Sequence, residues 1–155
     1  VHPNVSFRNV QSGSLEDGFA LGRVLRKSEV FTMGPPFESQ RCDMACSVAF
    51  LGGLERLAGK GEIGFYAPYY YSLNKVAEFE PDCDESRAIR YGLKDYYIEM
   101  TGVSLGTSFF KQTMYYCNES NDAKGWTLEG ENIAHVFGVA TVHKYRDFEQ
   151  RLLRK

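Results

Sequence analysis

The sequence predicts an α/β domain with a mostly parallel sheet. Three observations point there. Short apolar runs of strand type alternate with segments of helical periodicity, glycine- and proline-bearing turns separate them, and 43% of the 155 residues are hydrophobic, enough for one core. The expected organisation is a single domain over 1–143 followed by a basic helix or tail over 144–155, with no internal repeat.

Val5, Phe7 and Val10 alternate with polar neighbours and run into Gln11-Ser12-Gly13-Ser14, the pattern of a strand entering a tight turn. Ser14 is the expected N-cap of a helix through Lys27, helped by Asp17 and carrying Leu15, Phe19, Leu21, Val24 and Leu25 as its apolar positions. Val30 to Met33 reads as a strand stopped by Gly34-Pro35-Pro36, and 37–41 as a loop. A helix is expected from Met44 to Leu51, breaking at Gly52-Gly53, then a strand or turn over Leu54 to Gly59 and a strand over Glu62 to Tyr66. Ala67 to Asn74 reads as an aromatic-rich loop.

Ser86 to Thr101 places Ile89, Leu93, Tyr97 and Met100 at helical spacing and predicts one long helix ended by Gly102, with a second over Ser104 to Tyr116. After a polar loop from Asn118 to Gly125, Trp126 opens a last unit containing a helix over Glu131 to Phe137 and a strand over Val139 to Val142.

A formal charge of −2 and a pI near 6.0 give no global field for a polyanion, and basic residues are not interleaved with aromatic ones, so a nucleic-acid partner is not expected. No apolar run approaches the roughly 18 residues that a membrane span needs. The opening VHPNVSF lacks the basic start and apolar stretch of a signal peptide.

Four cysteines allow two pairs: Cys42 and Cys46 lie one helical turn apart, while Cys83 and Cys117 sit among polar, loop-like residues. Disulfides would imply export, to the periplasm or another oxidising compartment; buried free thiols are the alternative. His2, His135 and His143 have no zinc-like spacing to the cysteines, so neither a metal nor a cofactor is expected.

The most informative stretch is Arg41 to Gly53, RCDMACSVAFLGG. It has the frame of a nucleophile-bearing helix start, two cysteines bracketing a central position with a small residue next, yet the centre is Met44. Backbone N–H groups at the Gly13 turn and at Ala45 are candidate oxyanion donors, although Gly13 by itself need only serve the turn.

These motifs resemble the Clp protease proteolytic subunit and crotonase superfamily, in particular its exported bacterial Clp-protease-like branch. Asn9 to Leu15 is similar to that branch's turn N-S-P-G-G-S-V, and Asp17 to Arg23 to its helix E-G-L-A-L-G-R. Cys42 to Gly53 follows C-x-S-A-C-x-x-x-F-L-G-G except at the serine, and Ile63 to Tyr70 follows the histidine-bearing x-G-I-H-R-P-Y-F except at the histidine. Tyr97 to Val103, Trp126 to Leu128 and Phe137 to Val139 are similar to later parts.

The resemblance implies a spiral of β-β-α units, with the family's first strand and helix elements trimmed or lacking. It places Met44 at the nucleophile and Tyr66 at the base. A thioether cannot be deprotonated and tyrosine titrates near pH 10. Gln11 and Ser12 replace a proline and a glycine, and Asp122 lies ahead of Trp126 at a spacing unlike that of the third triad member.

The expectation is therefore a catalytically inactive domain acting as a binding or structural subunit, with a protein partner or as a homo-oligomer, including as an accessory subunit of a larger assembly. The tyrosine run Tyr69, Tyr70 and Tyr71 is a candidate interface. The alternative is an active hydrolase whose nucleophile has moved to Ser47, or to Cys42 or Cys46. Asn4-Val5-Ser6 and Asn118-Glu119-Ser120 also fit the N-glycosylation pattern.

Overall fold

The computed structural model describes residues 1–66, 69–71, 79–81, 83–119, 125–129, 137–142 and 144–154, with backbone only at 69–71, 79–81 and 125–129. It is a mixed α/β chain with six helices among the described residues and short strands in small sheets. Two compact units divide it: one of Val1–Gly64 with Thr127–Lys155, the other of Phe65–Trp126.

In the first unit, β1 (Asn4–Ser6), β2 (Phe31–Met33) and β4 (Arg56–Leu57) form a parallel sheet in the order β1-β2-β4. β3 (Arg41–Asp43) pairs in parallel with β5 (Glu62–Tyr66), in a sheet of order β3-β5-β8 that β8 (Gly125–Glu129) completes. Helix α1 (Leu15–Lys27) begins as expected: the Ser14 side chain accepts from Asp17 N–H at 3.1 Å. Glu16 and Asp17 in its first turn, with Arg26 and Lys27 in its last, complement its dipole.

α1 packs closely on α2 (Ala45–Leu51), because a Cβ on Gly18 would fall 2.0 Å from Val48 Cγ2. Two guanidiniums hold the end of α2: Arg26 donates to the carbonyls of Leu51, Gly52 and Gly53, and buried Arg56 donates to those of Leu51 and Gly53. Arg56 also reaches the Gly138 and Val139 carbonyls, which ties the C-terminal stretch to this helix end. Residues 139–142, expected as a strand, contribute only the bridge of Val142 to Leu57.

The C-terminal segment, expected as a basic helix or tail, is helix α6 (Tyr145–Leu152). Its Phe148 is fully buried in a cluster with Phe31, Leu57 and Val142. Phe148, with partly buried Leu152 packed against the same cluster, anchors a helix whose Tyr145, Arg146, Asp147, Glu149 and Gln150 are exposed.

The second unit contains the antiparallel pair β6 (Tyr69–Tyr71) and β7 (Phe79–Pro81); β6 falls within the stretch expected as an aromatic-rich loop. The single helix expected over Ser86 to Thr101 is two, α3 (Glu85–Tyr91) and α4 (Leu93–Thr101). Gly92 separates them in the left-handed region at φ 100°. α5 (Val103–Glu119) follows and is longer than expected at both ends.

Phe65, Tyr97 and Phe109 pack edge-on or tilted, with centroids 4.5–6.2 Å apart, as the aromatic core of this unit. Cys117, read as a loop residue, lies on α5 and is bonded to Cys83. The helix expected over Glu131 to Phe137 lies outside the described residues except for Phe137, as does Asp122.

Candidate functional site

The site is the junction of β3 and α2. β3 is not expected from the sequence, which reads 37–41 as a loop leading into the Cys42 segment. Pairing makes it a strand: Arg41, Cys42 and Asp43 lie opposite Glu62, Ile63 and Gly64, and Val10 bridges Cys42 from the other side. Val10 N–H donates to Arg41 O and Asp43 N–H to Val10 O, both at 2.9 Å, so the strand that enters the Gly13 turn is hydrogen-bonded to the strand that enters Met44.

Met44 turns the chain from strand to helix at φ 59° and ψ −119°, a conformation that glycine tolerates and L side chains rarely adopt. Such strain costs about 1–3 kcal/mol and persists only where the surroundings enforce it. A sharp, strained strand-to-helix turn is the geometry that presents a nucleophile in hydrolases of elbow type. Here it presents a half-buried thioether.

Gly13 stands against this turn. It has φ 107°, and a Cβ on it would come within 2.7 Å of Ala45 Cβ. The two backbone donors proposed from sequence are thus brought together, and neither N–H meets an acceptor among the described residues. α2 has only seven residues, so its dipole adds little.

Cys42 and Cys46 are joined, with Cα atoms 5.2 Å apart, which closes a covalent ring around Met44. Both are buried, and as a disulfide neither titrates. Ser47 is fully buried, and its hydroxyl donates to Met44 O at 3.0 Å.

One feature of the junction went unread in the sequence. Asp43 is buried to 6% exposure, with Oδ2 accepting from Arg41 Nε at 2.9 Å and Oδ1 without a hydrogen-bond partner among the described residues. Arg41 also pairs with Glu62 at 2.7 Å. The only available signal was the charge pattern R-C-D ahead of Met44.

Beside the junction is an apolar groove of about 250 Å³ lined by Phe7, Val10, Leu21, Ala45, Cys46 and Ala49, with Asp17 the single charged residue lining it among the described residues. No imidazole enters it among the described residues: His2 stacks on Phe31 and its Nδ1 lies 3.2 Å from Glu29 O, while His135 and His143 lie outside the described residues. No group of three or more His, Cys, Asp or Glu side chains that could hold a metal occurs among the described residues.

Tyr66 ends β5 as part of the second unit, half-buried. The side chains of Tyr69, Tyr70 and Tyr71 lie outside the described part of the structure. No described helix is long and apolar enough to cross a membrane. Asn118, in the second glycosylation triplet, uses its side-chain amide to donate to Met114 O and Cys83 O.

Compared with protein-family models and with curated proteins, the chain matches none.

Proposed function

We propose that this chain is a catalytically silent domain of Clp-protease-like type, working as a binding or structural subunit in an oxidising, extracytoplasmic compartment. The observation that carries the reading is the backbone of Met44. A strained strand-to-helix turn is retained at φ 59° and ψ −119° around a residue with no nucleophilic or titratable atom. Such a turn is costly to keep for packing alone, so its survival fits descent from a site that once needed it.

The groups of the alternative reading, Ser47 and the two cysteines, are engaged otherwise. Ser47 is buried and spends its proton on a backbone carbonyl, and the Cys42 and Cys46 sulfurs are bonded to each other. The two disulfides support the proposed compartment, since such bonds persist where the surroundings are oxidising.

A serine-reactive fluorophosphonate probe tests the reading on the intact 155-residue chain. No covalent labelling is expected, and a thiol reagent should titrate no sulfhydryl in the native protein. Labelling that disappears in Ser47→Ala, or alkylation of Cys42 or Cys46 without added reductant, would identify a displaced nucleophile and overturn the proposal.

A further inference from the structure

Helices α1 and α3 each begin on a side-chain cap: Ser14 Oγ accepts from Asp17 N–H at 3.1 Å, and Asp84 Oδ1 from Arg87 N–H at 2.8 Å. α2 does not. Its N-cap is Met44, which makes no side-chain capping bond, and no acidic residue stands in its first turn. A helix of seven residues without a cap is marginal, so its start has to be held by other means.

The Cys42–Cys46 bond takes the place of the cap. It joins the middle of β3 to the first turn of α2 and so spans Met44 from both sides. The other constraints act on one side only. Ahead of Met44, Val10 N–H donates to Arg41 O and Asp43 N–H to Val10 O. Beyond it, Ala45 and Val48 pack against Gly18, and the Ser47 hydroxyl reaches Met44 O only while the turn is formed.

The far end of α2 is fixed independently. Arg26 and Arg56 together donate to the carbonyls of Leu51, Gly52 and Gly53, so a change at the start of the helix is confined to its first turn. Within that turn Met44 sits at φ 59° and ψ −119°, a conformation it leaves once the ring around it opens.

The bond also lies where a small reductant can approach. Cys42 is fully buried, but Cys46 lines the open apolar groove beside the junction. The thiolate of a small dithiol entering there attacks Cys46 Sγ, the Sγ–Sγ bond breaks, and Cys42 leaves as a thiolate that takes up a proton. The second thiol of the reagent then attacks the mixed disulfide and releases Cys46. Two electrons and two protons pass to the protein, and the dithiol leaves as its own disulfide.

We propose that the Cys42–Cys46 bond is a redox latch on the Met44 junction. Oxidised, it holds Met44 at positive φ and the first turn of α2 formed; reduced by a thiol, it lets Met44 relax and that turn fray. Ala45 and Cys46 belong to the groove wall, so the groove keeps its shape in the oxidised form alone. The latch rests on the proposed binding role for its use and not for its chemistry. Fluorophosphonate labelling would sink that role and leave the latch standing, whereas a bond that does not open would do the reverse.

The 155-residue chain is equilibrated with dithiothreitol at rising ratios of reduced to oxidised reagent, free thiols are alkylated, and each cysteine is read by mass spectrometry. Hydrogen exchange is followed on the same samples. Cys42 and Cys46 should become alkylated together while the chain stays folded. Exchange should rise at least about tenfold at the Val48 and Ala49 amides, with the α1 amides still protected, because Val48 N–H bonds to Met44 O in the first turn.

Met44→Gly removes the strain that opening releases, so its bond should need a reduced-to-oxidised ratio at least about threefold higher. A Cys42–Cys46 bond that resists until the chain unfolds overturns the proposal, as does one that opens with no change at Val48 and Ala49. A Met44→Gly midpoint equal to the parent's overturns it too, since packing and not the bond would then hold Met44.

Discussion

The Ser47 hydroxyl donates to the Met44 carbonyl across 3.0 Å, so the side chain that the sequence offered as an alternative nucleophile is instead part of the brace that holds Met44 in its turn. Around the same residue the Cys42–Cys46 bond closes the chain covalently, and Val10 fixes β3 from the side. Strain at Met44 is thus imposed by three neighbours. None of them requires the methionine side chain itself.

Met44 itself provides the first prediction. Met44→Gly relieves a positive φ worth about 1–2 kcal/mol and gives up only a half-buried thioether, so the variant should unfold at the same or higher urea concentration than the parent. Met44→Val, β-branched at that φ, should lose about 1–3 kcal/mol. Urea midpoints that fall equally for both variants would mean that packing, and not backbone strain, governs the position.

How much of this was legible beforehand differs element by element. α1 and its Ser14 cap could be read because cap, charges and apolar spacing are all local in sequence, and β5 could be read from its apolar run. β3 could not, since a three-residue strand with arginine and aspartate around a cysteine becomes a strand only by pairing with β5 and Val10, twenty or more residues away on either side.

Gly92 was hidden for the opposite reason: the apolar positions Ile89, Leu93 and Tyr97 continue in phase across it, and a glycine inside a helix costs only about 1 kcal/mol. At the site, the sequence marked Met44, Gly13 and Ala45 as positions. Their contact, the φ of Met44 and the buried Asp43 are products of tertiary packing.

Arg56 gives the second prediction. The residue is 3% exposed, and its guanidinium donates to the carbonyls of Leu51, Gly53, Gly138 and Val139, joining the end of α2 to the C-terminal stretch. Lysine cannot reproduce that planar fork, so Arg56→Lys should leave buried carbonyls unpaired and cost about 3 kcal/mol or more. Denaturant titration measures the loss. A cost below about 1 kcal/mol would show that water replaces the fork.

The two disulfides should contribute unequally. Cys83 and Cys117 are 34 positions apart, and constraining a loop of that length in the unfolded chain is worth about 4 kcal/mol. Cys42 and Cys46 are 4 apart, which on the same model is worth about 2 kcal/mol. The paired serine substitution at Cys83 and Cys117 should therefore lower stability more than the paired substitution at Cys42 and Cys46, as read from urea unfolding. The reverse order would show that the short ring matters through the junction it braces.

Alkaline pH tests the core of the second unit. Tyr97 is fully buried beside Phe65 and Phe109, and its hydroxyl meets no well-formed hydrogen-bond partner among the described residues; the nearby Thr113 hydroxyl donates to Phe109 O. Burial raises its phenol well above the ordinary value; the Thr113 hydroxyl opposes this in part and Tyr96 adds to it. An unfolded tyrosine releases its proton near pH 10, whereas folded Tyr97 keeps it. Above about pH 10 the native state then binds more protons than the unfolded state, so this contribution is complete below pH 10 and is lost as pH rises beyond it. Tyr97→Phe should change stability by less than about 1 kcal/mol at pH 7, because it removes a hydroxyl that has no well-formed partner among the described residues. The same variant should flatten the decline in urea midpoint above pH 10. A decline of equal slope in parent and variant would mean that Tyr97 titrates like an exposed phenol and that the aromatic cluster admits water.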